Sequence, residues 1–306
     1  IFAEQAVSGT PAFDLLRKTT FLELCEDALV EIASCCDGIA AIVGLPILTA
    51  DGTISAAALI QDRKVLRYIG KKYITARREM GFLVPSKGYE YATIKGHKCA
   101  IIVGDDLSRE RDFDQSVETV ISINARKYGK GTMTYRYEMM RNLAFVESKN
   151  LVLVNQVGGS TDIVYDGTSG ALNSRGELVL MMKNFEEDFQ IFDTKASARP
   201  ITIPSTYNDR TRLVYEAARC GLRDFFRKNG YRKASIGLSG GIDSAVVASI
   251  AADALGAENV RALLMPSPFS SLESVEDAKE LARNLGIEYN VIPISEIYTS
   301  VVNTLK

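Results

Sequence analysis

The sequence is poor in the side chains that build metal and disulfide sites. It holds one histidine, His97, in 306 residues, so a zinc site is not expected. Five cysteines (Cys25, Cys35, Cys36, Cys99 and Cys220) form an odd, irregular set with no Cys-x-x-Cys pair. They offer no disulfide framework, and a reducing cytoplasm is the expected setting. No apolar run approaches the roughly 18 residues of a membrane span. No charged-then-apolar leader precedes a cleavage site. Lys and Arg are dispersed and the net charge is −2, so nothing electrostatic calls for nucleic acid or a membrane. Internal repeats and low-complexity tracts are missing too. What is present is a 46% hydrophobic content, enough for sizeable cores, and a length that suggests two domains.

The most informative stretch is 234–255. A short apolar run, Ile236 to Leu238, meets Ser239-Gly240-Gly241-Ile242-Asp243-Ser244, and an Ala/Val-rich helix follows at once. Glycines let the backbone turn sharply and approach a ligand. The N–H groups of the new helix point into the turn, where its dipole favours an anion. Ser239 and Ser244 add hydroxyl donors. No Gly-Lys-Ser/Thr closes the loop, so it is not of the Walker type. Such a cradle suits a pyrophosphate that leaves with a metal ion. The competing reading is a glycine-rich turn that binds nothing.

Val260 to Leu264 reads as a second buried strand, and Ile287 to Ile294 as a third. Ser274, with Asp277 three residues on, reads as the cap of a helix through Ala278–Leu285 that Gly286 ends. The order βαβαβ predicts a parallel, doubly wound sheet with its ligand at the carboxyl ends of the strands.

The hexapeptide resembles the loop of the ATP pyrophosphatases, which split ATP into AMP and pyrophosphate. Met265-Pro266-Ser267-Pro268-Phe269-Ser270-Ser271, then Ser274 and Asp277-Ala278, is similar to the run after the second strand of NAD synthetases. The resemblance implies ATP and pyrophosphate binding by Ser239, Gly240, Gly241, Asp243 and Ser244. It also implies Mg²⁺ near Asp243, whose alternative role is a carboxylate favoured by the helix dipole.

The first two-thirds alternate strands and helices and predict an αββα sandwich. Ala40 to Pro46 is a strand, Asp51-Gly52 a hairpin turn and Ala56 to Leu66 the return. Ala100 to Val103 and Leu151 to Val157 are further strands. Ile1-Phe2 reads as the inside of an apolar strand. This region resembles the glutamine-hydrolysing domain of the nitrilase superfamily, as fused to glutamine-dependent NAD synthetases. The match runs through Phe2-Ala3-Glu4, Gly9-Thr10-Pro11, Asp14-Leu15-Leu16, Lys71-Lys72-Tyr73-Ile74, Val154-Asn155-Gln156-Val157-Gly158-Gly159, Asp166-Gly167-Thr168-Ser169 and Asn184 to Asp188. The domains are then 1–196 (nitrilase-like glutamine amidohydrolase), 197–208 (linker, around Arg199-Pro200 and Pro204) and 209–306 (the N-terminal part of the synthetase). Both ends read as cut, because the family continues with segments that complete its nucleotide sites.

Nitrilase chemistry pairs a carboxylate base, a thiol nucleophile and a lysine for the oxyanion. By the motif match these are Glu4 and Lys71, with Lys72 as the register alternative. The thiol position falls in Ile101-Ile102-Val103-Gly104-Asp105-Asp106. Gly104 stands there, and glycine cannot attack a carbonyl. Cys99 lies an odd number of residues away on the same strand, which points it to the other face. Thr75, Ala3 and a short stretch around Arg77 to Phe82 also depart from the family pattern.

The resemblance therefore implies a carbon–nitrogen ligase of NAD biosynthesis. ATP adenylates deamido-NAD, and ammonia rather than glutamine supplies the nitrogen. The expected enzyme is a cytoplasmic homo-oligomer without nucleic-acid or membrane partners. Two rivals stay open: another ATP-pyrophosphatase amidotransferase, and a non-catalytic paralogue whose first domain is a scaffold.

Overall fold

The computed structural model describes residues 1–191, 193–194, 199–207 and 209–305. The chain divides into two compact units, Ile1–Arg210 and Thr211–Lys306. Residues 197, 198 and 208 of the expected linker, and 196 beside it, lie outside the described residues, as does Lys306.

In the first unit, helix α1 (Thr19–Ser34) precedes an antiparallel sheet of β1 (Ala40–Thr49), β2 (Gly52–Gln61) and β3 (Lys64–Gly70). Next come β4 (Glu90–Ile94), β5 (His97–Val103), β6 (Thr119–Asn124), helix α2 (Thr132–Glu147) and β7 (Asn150–Asn155). A small hairpin of β8 (Val157–Ser160) and β9 (Ile163–Asp166) follows, then β10 (Gly170–Leu172) and β11 (Leu178–Met181). The six-stranded sheet runs β11-β10-β7-β6-β5-β4, with β5, β6 and β7 parallel.

Three apolar layers hold these elements together. Ile42, Leu59 and Ile69 of the first sheet meet Ile101, Val103, Ile121 and Val152 of the second. Leu29 and Ala33 of α1 cover Val43, Leu45 and Ala58. Met140 and Leu143 of α2 cover Ala100, Ile102 and Leu153. Strands buried on both faces read as continuous apolar runs, which is why β1, β2 and β5 stand out in the sequence. The result is the αββα sandwich.

Several boundaries differ from the sequence reading. The return strand is two strands: Asp62 and Arg63 both take positive φ, 48° and 63°, and make a two-residue turn into β3. Such turns usually announce themselves with Asn-Gly or Asp-Gly, and this one contains no glycine. Leu151 to Val157 is broken at Gln156, whose N–H donates to Asn124 O at 3.0 Å, and β8 leaves for its own hairpin. Residues 1–3 lie outside any named strand, although Phe2 N–H donates to Ile42 O at 2.8 Å.

The second unit holds helix α3 (Arg210–Asn229), β12 (Ala234–Gly237), helix α4 (Ile242–Leu255), β13 (Val260–Leu264), helix α5 (Leu272–Leu285), β14 (Glu288–Val291) and helix α6 (Ser295–Leu305). Its sheet is parallel in the order β12-β13-β14. Ala248 and Ala251 of α4 and Ala278 and Ala282 of α5 pack with Val260, Ala262 and Leu264. Small residues on both helices let them sit close to the sheet. Ser271, not Ser274, is the α5 cap: its side chain accepts from Ser274 N–H at 3.1 Å. The helix starts earlier because Ser271 itself stands in extended backbone, φ −71° and ψ 149°, as a cap requires. The third strand ends at Val291, shortly before Pro293, since proline donates no ladder hydrogen bond. Among the described residues, no helix is long and apolar enough to cross a membrane.

Candidate functional site

The first candidate centre lies where the two sheets of the first unit meet. Glu4 sits on a turn laid across β1 at Gly44. A Cβ at Gly44 would come 2.2 Å from Ala3 O and 2.7 Å from Glu4 Cα, so only glycine lets this segment through. Glu4 Oε1 accepts from Ser55 Oγ at 2.9 Å, and Oε2 accepts from Ala125 N–H at 3.2 Å. Lys71 follows β3 directly. Its Nζ donates to Glu4 Oε1 at 3.1 Å and to both oxygens of Glu79 at 3.1 and 2.9 Å. Lys72 takes the other side and pairs with Glu110 at 3.2 Å. The adjacent lysines are thereby told apart: Lys71 is the buried one, at 3% exposure beside 2% for Glu4.

Gly104 opens the turn after β5 at φ +63°. A Cβ built there would lie 2.8 Å from Glu4 Oε2, 2.8 Å from Lys71 Nζ and 2.7 Å from Lys71 Cε. The three positions proposed from sequence therefore come together, and the one without a side chain faces the other two. Cys99 is buried in the layer between the sheets with Ile101 and Val103. Burial pushes its thiol up to about 11, with the Glu118 charge adding to the effect, which makes it a poor nucleophile.

Sequence reasoning missed Glu79, Ser55 and Asp106. Glu79 comes from an irregular segment with no periodic pattern, so nothing in the sequence marked it. Asp106 is fully buried and accepts the backbone N–H groups of Lys72 and Tyr73 at 2.7 and 2.9 Å. It ties the lysine segment to the Gly104 turn. Burial pushes its carboxyl up to about 6 against the pull of those two amides.

Burial opposes the Lys71 charge, but the Glu4 and Glu79 carboxylates outweigh it and hold the ammonium above its ordinary value. Glu79 moves to about 7 from its ordinary 4.5, through burial first and Glu4 repulsion second, with Lys71 pulling the other way. The folded state thus binds more protons than the unfolded chain between those values. Stability from this group is fully present below the ordinary pKa and is lost as pH rises through about 7. Glu79→Gln is expected to flatten the fall in stability between pH 4.5 and 7, read as urea midpoints across that window. An unchanged slope in the variant would assign the fall to other groups, Asp106 first.

The second candidate centre is the β12-to-α4 turn. Gly240 takes φ +79° and approaches Ser274 O so closely that a Cβ would sit 2.2 Å away. The loop is held by its own serines. Ser239 Oγ accepts from Gly241 N–H at 3.3 Å and lies 3.2 Å from Ser244 Oγ. Ser244 Oγ donates to Gly241 O at 2.9 Å and accepts from Ser239 N–H at 3.2 Å. Gly241 caps α4 without a side chain, so the first N–H groups of the helix are left for a ligand. Asp243 is exposed in the first turn. Beside Ser239, a cleft of about 290 Å³ is lined by Gly237, Leu264, Met265, Pro266 and Ser274, at the carboxyl ends of β12 and β13. Of the five loop residues proposed from sequence, Ser239 lines this cleft, and Gly240, Gly241, Asp243 and Ser244 follow it in the turn and the first turn of α4.

Among the described residues, no group of three or more His, Cys, Asp or Glu could hold a metal by itself. Mg²⁺ commonly takes one or two carboxylates and completes its shell with phosphate oxygens and water. Asp243 beside a phosphate cradle fits that arrangement as one ligand.

The NAD synthase family model matches residues 214–306. The glutamine-dependent NAD(+) synthetase of Aquifex aeolicus is 34% identical across all of this chain and 61% of its own length. That of Acinetobacter baylyi is 31% identical across all of this chain and 58% of its own. Among solved structures, the Acinetobacter baumannii glutamine-dependent NAD+ synthetase in complex with ADP superposes with a TM-score of 0.87. Identity there is 31%, over 99% of this chain and 60% of that one. The chain spans about three-fifths of the length of these relatives. A nitrilase-superfamily amidase from Nesterenkonia shares a fold with part of this chain, with a TM-score of 0.51 and 17% identity over 60% of this chain. By sequence and by fold, this chain is similar to glutamine-dependent NAD(+) synthetases over about three-fifths of their length, and its last third matches the NAD synthase family model.

Proposed function

We propose that this chain carries the adenylating part of a ligase that amidates deamido-NAD to NAD, with ammonia as the nitrogen donor. The observation that carries it is the Ser239–Ser244 turn, opening on the cleft beside Met265 and Pro266. A carboxylate oxygen of deamido-NAD attacks the α-phosphorus of ATP, and pyrophosphate leaves into the loop. Its oxygens accept from the α4 N–H groups and from the Ser239 and Ser244 hydroxyls. Ammonia then attacks the acyl carbon, AMP leaves with the former carboxylate oxygen, and one proton is released. Mg²⁺, held in part by Asp243, would offset the charge of the leaving pyrophosphate.

Gly104 supports a scaffold role for residues 1–196, joined by 197–208 to a synthetase region in 209–306. The dispersed charge and unpaired cysteines support a cytoplasmic setting. Tyr135, Phe145 and Val146, which α2 leaves exposed, support a homo-oligomer.

The test is release of AMP and pyrophosphate by the whole protein, with and without deamido-NAD. Release is expected to depend on deamido-NAD and ammonia. Equal release with xanthylate or aspartate in its place would sink the assignment.

A further inference from the structure

Apart from Glu4 and Lys71, the first unit contains a cavity of about 60 Å³. Its walls are Met133 and Met140 of α2, Leu178 and Met181 of β11, and Ile203 and Tyr207 of the segment that precedes α3. One charged side chain lies in this apolar lining, Arg136, which is 3% exposed. Its Nη1 donates to Gly167 O at 3.1 Å, and its Nη2 to the two Asp166 oxygens at 2.9 and 2.7 Å. Its Nε–H is buried and has no hydrogen-bond partner among the described residues. Buried donors without partners are rare in folded proteins, and each asks for an explanation.

The chemistry of the walls narrows the answer. One water needs about 10–15 Å³, so this space is several waters large. A cluster of waters would need two to four polar partners for each member. The surface that lines the space is mostly apolar, and two of its hydroxyls are partly engaged: Thr168 Oγ1 donates to Asp166 O and Ser169 Oγ accepts from Asn155 N–H. An anion is disfavoured, because Asp166 already balances the Arg136 charge. A neutral molecule with an apolar body and one acceptor oxygen satisfies both the walls and the donor.

We propose that this cavity is a binding site for a neutral organic molecule of a few heavy atoms whose carbonyl oxygen accepts from Arg136 Nε–H. The site has a mechanical consequence. The hydrogen bonds that fasten the segment forming one wall include Ile201 N–H to Leu178 O at 2.8 Å and Tyr207 OH to Met182 O at 3.0 Å. An occupant touches β11 and that segment together, so binding tightens the segment onto the sheet.

The experiment uses the 306-residue chain with acetone and its apolar isostere 2-methylpropene as probes, both small enough for a cavity well under the roughly 150 Å³ that takes up benzene, followed by saturation-transfer NMR and by amide hydrogen exchange. Acetone is expected to bind at least about tenfold more tightly than 2-methylpropene, a difference of about 1.4 kcal/mol, and to slow exchange of the Ile201 amide. Ile203→Trp fills the cavity from the segment, and Met140→Phe fills it from the helix. Whichever of them keeps a cooperative melt should lose acetone binding. Equal affinity for the two probes, no binding of acetone, or acetone binding that survives both fillings would overturn the proposal.

Discussion

Glutamine is expected to yield no glutamate with this protein, while ammonia supports full synthesis. The carboxylate and the ammonium are in place: Glu4 Oε1 and Lys71 Nζ are 3.1 Å apart and almost fully buried. The position that faces both is Gly104, which has no atom to attack an amide carbon. Loss of the nucleophile from a catalytic set of this kind costs on the order of 10⁶ in turnover, which no binding contact replaces. Gly104→Cys tests the geometry directly. The atoms that crowd a Cβ at 104 are the ends of two side chains, Lys71 and Glu4, so a shift of both makes room, and the φ of +63° adds backbone strain for any side chain there. The new thiol would lie beside the Lys71 ammonium, which favours the thiolate. It is expected to be captured by a glutamine-mimicking electrophile, detected as an added mass in a Cys35→Ser background, because Cys35 is the exposed free cysteine. Capture should fail when Lys71→Ala is added. Glutamate release by the unmodified protein would mean that another group is the nucleophile.

Ser239→Ala and Asp243→Ala are each expected to slow adenylation by about 10²–10³-fold, the usual cost of removing a pre-placed donor or charge at a reacting phosphate. Ser239 holds the turn through Gly241 N–H and Ser244 Oγ, so its loss removes a donor and also loosens the cradle. Asp243 is exposed, and its loss removes charge compensation and little packing. Both variants should keep the parent melting temperature within a few degrees, since surface changes usually stay within about 0.5 kcal/mol. A pyrophosphate burst near the parent rate in both would reduce the loop to a structural turn.

What was legible in the sequence follows from what a residue must do alone. Val260–Leu264 was readable to the residue because Val260, Ala262 and Leu264 are buried on one side against α4 and α5. The Ser239–Ser244 stretch was readable as a tight strand-to-helix turn, because Gly240 takes φ +79° and packs against Ser274 O where a side chain has no room. β3 was hidden: Lys64, Leu66, Arg67 and Tyr68 are exposed, and its turn holds Asp62 and Arg63 at positive φ without a glycine. Lys71 and Lys72 were indistinguishable as letters. They separate only because successive residues at a strand end point to opposite sides. Glu79 could not be foreseen, since an irregular loop places it and no local pattern encodes where that loop returns.

The hydrogen bonds around Glu4 join residues 51, 67 and 121 positions apart in the chain. In β12-β13-β14, each strand pairs with its nearest neighbour in sequence through one helix. Closing long chain loops is entropically costly and slows folding. The two units therefore assemble on different schedules. The β12-to-α4 turn needs only one βαβ crossover and its helix, and its short-range pairings are expected to form early. The Glu4–Lys71 cluster exists only after strands from both sheets and the turn across Gly44 have all arrived. When the whole chain refolds from denaturant, the β12-to-α4 turn is thus expected to form before the buried charges meet.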